Sequence, residues 1–169
     1  SSVVATPSTK KADAASYKAY LCLQTAKFTF RNQHDDAKFS NKLQNTTNKL
    51  SKNSAKFKDT TMKKGKKTYT VQLTGLNKCI AKDKTFNTLY VDTNIKGKDK
   101  KKVTVTNVNV FFDGKKVKTI KKGVLTPDPG QTDGFVQLQI INMWNSRVAK
   151  FKYTMPKKTI KVTYTVKIK

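Results

Sequence analysis

Glutamate is absent from this chain and arginine nearly so: all ten acidic residues are aspartates, and only Arg31 and Arg147 accompany the lysines. With 36 basic residues against 10 acidic ones, the formal net charge is +26, and a surface of that sign draws polyanions through its summed field. The scarcity of arginine argues against nucleic acid as the partner. Phosphates and base edges favour the planar, bidentate guanidinium, whereas lysine acts as a solvated point charge. The lysines are also scattered, over Lys63-Lys64-Gly65-Lys66-Lys67, Lys98 to Lys102 and Lys115-Lys116, with no helix or arm concentrating them. Part of their role is to keep strand faces solvated and sheet edges from pairing.

Cysteine is equally sparse. Cys22 and Cys79 are too few for a disulfide framework and lack the spacing of a metal knuckle. Cys22 alternates within an apolar run, as a buried free thiol would, and a disulfide to Cys79 is the other reading. No apolar run approaches the ~20 residues of a membrane helix, so insertion into a bilayer is not expected. The single histidine, His34, has no GxSxG elbow to serve. No pair of carboxylates is embedded in an apolar run, as glycoside hydrolysis requires for its protonated acid. Enzymatic activity is therefore not expected. His34 with Asp35, Asp36 and Asp128 lacks the ligand spacing of a zinc site, and no cofactor is implied beyond room for a structural calcium in a loop.

What the chain does hold is a succession of short alternating runs. Residues Ser1 to Ala15 are Ser, Thr, Ala and Lys without periodicity, which reads as a flexible N-terminal leader or linker, leaving 16–169 as one domain. In YKAYLCLQTAKFTFRN, Tyr17, Ala19, Leu21 and Leu23 share one parity and Tyr20, Cys22 and Gln24 the other; Phe28 and Phe30 then resume the period of two. Asn41 to Lys58 is polar apart from Leu43, Leu50 and Phe57 and reads as a long excursion loop, with a short helix as the alternative. Tyr69, Val71 and Leu73 mark a strand, as do Phe86, Leu89 and Val91. Val103 and Val105 hold odd parity while Val108, Val110 and Phe112 hold even parity, which predicts a β-bulge or sheet crossing at Asn107. Asp113-Gly114 supplies a two-residue hairpin turn. After the loop at Pro127 to Gly130, Val136, Leu138, Ile140, Asn142 and Trp144 share one face of a central strand. Phe151, Tyr153 and Met155 alternate up to Pro156, and Ile160 to Ile168 alternate to the end.

About eight to ten short strands without an amphipathic helix predict an antiparallel β-sandwich, jelly-roll-like in topology. An immunoglobulin-like sandwich is the alternative, although Trp144 follows both cysteines instead of lying between them.

The segments YKAYLCLQTAKFTFRN, KKTYTVQLTGL, FNTLYVDTNI, VTVTNVNVFFDGKKV, VQLQIINMWN and MPKKTIKVTYTV, in that order, span most of the chain. Together they resemble the non-catalytic β-sandwich modules of secreted and surface proteins from anaerobic gut Firmicutes, which look like carbohydrate-binding modules attached to plant-polysaccharide hydrolases. The resemblance implies an extracellular or cell-surface, monomeric module that tethers its parent protein to a glycan, neutral or acidic. In similar modules the segment after the RN pair carries a tryptophan and a glycine; here Gln33-His34-Asp35-Asp36 stands in that place.

Candidate ligand contacts follow from residue type. Gln24, Gln137 and Gln139 sit mid-strand opposite the aliphatic residues, either as ordinary exposed side chains or as a row of amides that both donate to and accept from sugar hydroxyls. Tyr20 and Tyr90 would add aromatic surface to that face. Trp144 is either a buried core indole, by strict alternation, or a sugar-stacking residue at the strand's rim. Arg31 and His34 close the strand-end loop, with Arg31 free to pair with Asp35 or Asp36. A different class of function, a cationic surface or adhesion domain holding anionic cell-wall polymer or acidic polysaccharide through its lysines, predicts loss of binding between ~50 and ~200 mM salt.

Overall fold

The computed structural model describes residues 16–31, 56–76, 82–126 and 134–169. Eleven strands among them form two antiparallel sheets. The first has the order β2 (Thr29–Phe30), β1 (Ser16–Gln24), β6 (Thr88–Lys96), β10 (Phe135–Asn142) and β9 (Val124–Thr126), with β4 (Thr60–Lys63) also pairing β1. The second has the order β3 (Lys56–Lys58), β5 (Gly65–Thr74), β11 (Ile160–Ile168), β7 (Val103–Phe112) and β8 (Lys115–Lys122). The chain crosses between the sheets repeatedly, at β3–β4, β4–β5, β5–β6, β6–β7, β8–β9 and β10–β11 among the described residues, and the last strand inserts between β5 and β7. This is the antiparallel β-sandwich that the strand pattern predicts.

Alternation builds the core. Val71, Leu73, Val162, Tyr164, Val166, Val105 and Val110 from one sheet meet Leu21, Leu23, Leu89, Val91, Val136 and Leu138 from the other, all nearly or wholly buried. Each fully buried aliphatic side chain contributes about 1.5–3 kcal/mol relative to exposure. Gly123, on the passage from β8 to β9, is crowded by both layers: an added Cβ would stand 2.8 Å from Val105 Cγ1 and 2.9 Å from Leu138 Cδ1, one residue from each sheet. Glycine permits that approach, and its N–H donates to the Val105 carbonyl at 2.8 Å.

The parity switch in β7 is a bulge. Thr163 pairs Asn109 and Thr165 pairs Thr106, so β7 carries an extra residue between them, and Asn107 has φ 51°. Asp113 and Gly114, at φ 53° and 80°, turn β7 into β8 as the sequence predicts.

Three expectations need correction. Lys56–Lys58, read as part of an excursion loop, forms β3 on the edge of β5, with Lys56 opposite Thr74. The alternation of Phe151, Tyr153 and Met155 does not make a strand: residues 151–156 run outside both ladders. The rings of Phe151 and Tyr153 instead pack with those of Phe86 and Phe112 in a tilted and edge-on cluster, with centroids 5.3–5.7 Å apart for Phe151–Tyr153, Phe86–Tyr153, Phe112–Tyr153 and Phe86–Phe112. Burial alternates there because one side of an extended segment faces that cluster. The third correction concerns β10 and the face that Asn142 takes. The leader 1–15, Cys79 and the loop at Pro127 to Gly130 lie outside the described residues.

Candidate functional site

The register of the first sheet aligns the polar parity of three strands. Tyr20 lies opposite Asp92, which lies opposite Gln137; Cys22 opposite Tyr90, opposite Gln139; Gln24 opposite Thr88, opposite Asn142. The row of side chains expected from sequence therefore exists on the face away from the core. It is not the solvent-exposed surface that its polarity predicts, because Tyr20, Tyr90, Gln137 and Gln139 are all buried and only Gln24 is half-exposed. Tyr20, Cys22 and Tyr90 form a second, smaller cluster apart from the main core.

This layer is rich in internal pairing, as buried polar groups must be. Arg31, with φ 57° and no exposed surface, sends two guanidinium nitrogens to the Asp59 carboxylate at 2.7 and 3.2 Å. Asp59 is thus its carboxylate among the described residues, and it comes from the segment leading into β4, which pairs β1. The Arg31 guanidinium also lies over the Tyr20 ring at 4.7 Å. Cys22 is a free thiol that donates to the Arg31 carbonyl at 2.9 Å. Burial pushes that thiol well up, the negative charge of Asp92 adds to the effect, and Arg31 and a hydrogen bond with Tyr90 pull against it. Asp92 and Asp59 escaped the sequence reading. Asp92 interrupts the apolar run LYVDTNI, which is the signal that could have found it.

The same layer leads to Trp144. Gln139 Nε2 donates to Gln137 Oε1 at 2.6 Å, Asn142 Nδ2 donates to Gln139 Oε1 at 3.2 Å, and the Trp144 N–H donates to Asn142 Oδ1 at 3.0 Å. Asn142 joins this ladder because β10 shifts register between Gln139 and Ile141. Ile141 faces Leu89 and Asn142 faces Thr88, so Ile140 is an extra residue and every position after it changes face. Strict alternation would have carried Trp144 to the core, but β10 ends at Asn142 and Trp144 stands 61 % exposed on the turn that follows, beside Met143 at 56 %. These are the exposed large hydrophobic residues among those described.

Met143 lines an apolar groove of about 270 Å³ whose other walls include Phe86, Ile141, Val148, Phe151 and Tyr153. The Phe86 N–H donates to the Tyr153 hydroxyl at 2.8 Å, which fixes one wall against another. Of the residues named from sequence, the structure brings Tyr20, Tyr90, Arg31, Gln137 and Gln139 into one buried layer, leaves Gln24 at its half-exposed edge, and sets Trp144 beyond its end. His34 lies outside the described residues, as do Asp35, Asp36 and Asp128. Among the described residues no group of three or more His, Cys or acidic side chains is gathered as metal ligands would be, and no helix is long and apolar enough to cross a membrane. Comparison of the chain with protein-family models, with curated proteins and with solved structures returned no match.

Proposed function

We propose that this sandwich is a non-catalytic polysaccharide-binding module of a secreted or surface protein, and that Trp144 with the groove beginning at Met143 takes the sugar. The observation that carries the reading is the exposure of Trp144, 61 %, on a turn braced by a buried amide ladder. A soluble domain gains nothing for folding by presenting its one indole to water, while a planar ring held in place replaces water over the C–H face of a pyranose. Gln137 and Gln139 then act as supports for the turn and not as direct ligand contacts.

A second reading has its own support. On the outer face of the second sheet, the ammonium groups of Lys161 and Lys116 lie 4.5 and 5.8 Å from the Phe111 ring, a cationic face capable of holding anionic wall polymer. Affinity electrophoresis through neutral and acidic polysaccharides, at ~50 and ~200 mM salt, separates the two. The stacking reading expects retardation that survives the higher salt and vanishes in Trp144→Ala. It is lost if no glycan retards the protein, or if Trp144→Ala migrates as the wild type does.

A further inference from the structure

A second cleft adjoins the apolar groove. It encloses about 770 Å³ between Phe112, Tyr153, Met155 and the side chains of Lys115, Lys116, Lys152 and Lys157. Such a volume is within the roughly 300–1,000 Å³ typical of sites for small organic groups. Tyr153 lines both spaces. Its ring packs edge-on against Phe112 on the cleft side, 5.6 Å away at 84°, while its hydroxyl accepts from Phe86 on the groove side. The two spaces are thus neighbours across one fixed aromatic wall.

The charge in this cleft is not neutralised from within. The acidic residue lining it is Asp113, and its carboxylate is taken by three backbone N–H groups: Oδ2 by Lys157 at 2.9 Å, Oδ1 by Lys158 at 2.7 Å and Thr159 at 3.0 Å. None of the four lysine side chains is in an ion pair among the described residues. Four like charges brought to one concave wall, with the nearest carboxylate committed to the backbone, raise the local concentration of anions.

We propose that the ligand is an acidic polysaccharide, its sugar face lying on Trp144 and the apolar groove while uronate carboxylates of the same chain enter the lysine cleft. This rests on the reading that Trp144 takes a glycan, and it names the chemical class. A polysaccharide suits the cleft better than a nucleic acid because its cations are all lysines. Scattered carboxylates need point charges, whereas phosphate is held best by the bidentate fork of arginine.

The test compares polygalacturonate with its methyl ester, and glucuronoxylan with its carboxyl-reduced form, by titration calorimetry at one fixed salt concentration near physiological. Wild-type protein is expected to bind each acidic polymer about tenfold or more tightly than its neutral counterpart. The combined Lys115→Gln, Lys116→Gln, Lys152→Gln and Lys157→Gln variant is expected to lose that preference and keep the neutral affinity. A variant with the same loss of charge elsewhere, at the exposed Lys64, Lys66, Lys98 and Lys101, is expected to retain it. Equal weakening in both lysine variants overturns the cleft in favour of the general field. A persistent preference in the cleft variant also overturns it, as does displacement of polygalacturonate by oligodeoxythymidylate at equal concentration. Trp144→Ala should weaken both polymers of each pair; if it leaves both unchanged, the glycan reading at Trp144 fails, whatever the lysines do.

Discussion

The side-chain oxygen of Asn142 accepts the backbone N–H of Trp144 at 3.0 Å, while its nitrogen donates to Gln139. A buried amide thereby fixes the first step of an exposed turn. Asn142→Ala removes both bonds and leaves the Gln139 oxygen in a buried layer without this donor, a loss of about 1–3 kcal/mol in stability. Because Trp144 is the only tryptophan, intrinsic fluorescence reads the turn directly. The variant should show a lower unfolding midpoint in urea and a lower fluorescence anisotropy in the native state. An unchanged anisotropy would mean that the ladder does not hold the indole.

The bulge that creates this arrangement was harder to read than the one in β7. At Asn107 a residue tolerant of positive φ sits between two runs of valines on opposite parities, so the switch shows in the spacing. In β10 the extra residue is Ile140, followed by a second isoleucine that also faces the core. The doublet looks like ordinary apolar sequence, and the alternation of the whole segment can be carried straight through it to the wrong face for Asn142. Side-chain parity located the polar row of Tyr20, Tyr90, Gln137 and Gln139, because parity is a local property. Its burial depends on what the rest of the chain brings to that face, which no spacing encodes. Arg31 and Asp59 stand 28 residues apart and meet through the pairing of β1 with β4, a non-local relation of the same kind.

That ion pair yields a second expectation. The Arg31 guanidinium is fully buried and Asp59 about three-quarters so, and removing one partner of such a pair costs about 3–5 kcal/mol because a charge stays behind in a poor solvent. Asp59→Ala should therefore destabilise more than the double variant Arg31→Met with Asp59→Ala, in which the apolar methionine stem replaces the cation against Tyr20 and Phe30. Urea denaturation of the two singles and the double closes the cycle. If the double is no more stable than Asp59→Ala, the penalty is not one of stranded charge.

Cys22 offers a probe of the same layer that leaves Trp144 and its groove untouched. Its thiol is fully buried, donates to the Arg31 carbonyl and titrates well above an ordinary cysteine, so thiolate is scarce and access is blocked. In a Cys79→Ser background, reaction with a disulfide reagent at pH 8 should be slower than in denaturant by a factor that follows the unfolding equilibrium. It should accelerate in Asp59→Ala in proportion to the stability lost there. Labelling of the native protein at the rate of a free peptide thiol would contradict the burial of this face.

Asp113 supplies a dependence on pH whose sign can be worked out from its surroundings. Partial burial alone would raise its pKa, but N–H groups of Lys157, Thr159 and Lys158, together with the Lys158 charge, outweigh it and hold the carboxyl below its ordinary value. The folded state thus favours the charged form more than the unfolded chain does. The stability this confers is fully present above the unfolded pKa of about 3.9 and is lost as pH falls through the lower folded value. Asp113→Asn keeps a residue that tolerates φ 53° and removes the charge, so its deficit in urea midpoint against the wild type should be constant from pH 7 to 5 and shrink below pH 4. Asp113→Ala also puts an alanine into the left-handed region, which costs about 1–2 kcal/mol more at every pH. Because the carboxyl is largely exposed, the shrinking component is small beside the turn term. A deficit for Asp113→Asn that grew on acidification would reverse the sign and show that the three backbone bonds do not favour the carboxylate. The same variant bears on the cleft, since freeing the N–H groups of residues 157–159 loosens the segment carrying Lys157. On the proposed acidic-glycan reading, affinity for polygalacturonate should therefore fall in Asp113→Ala while affinity for the methyl ester, assigned there to Trp144 and its groove alone, is kept.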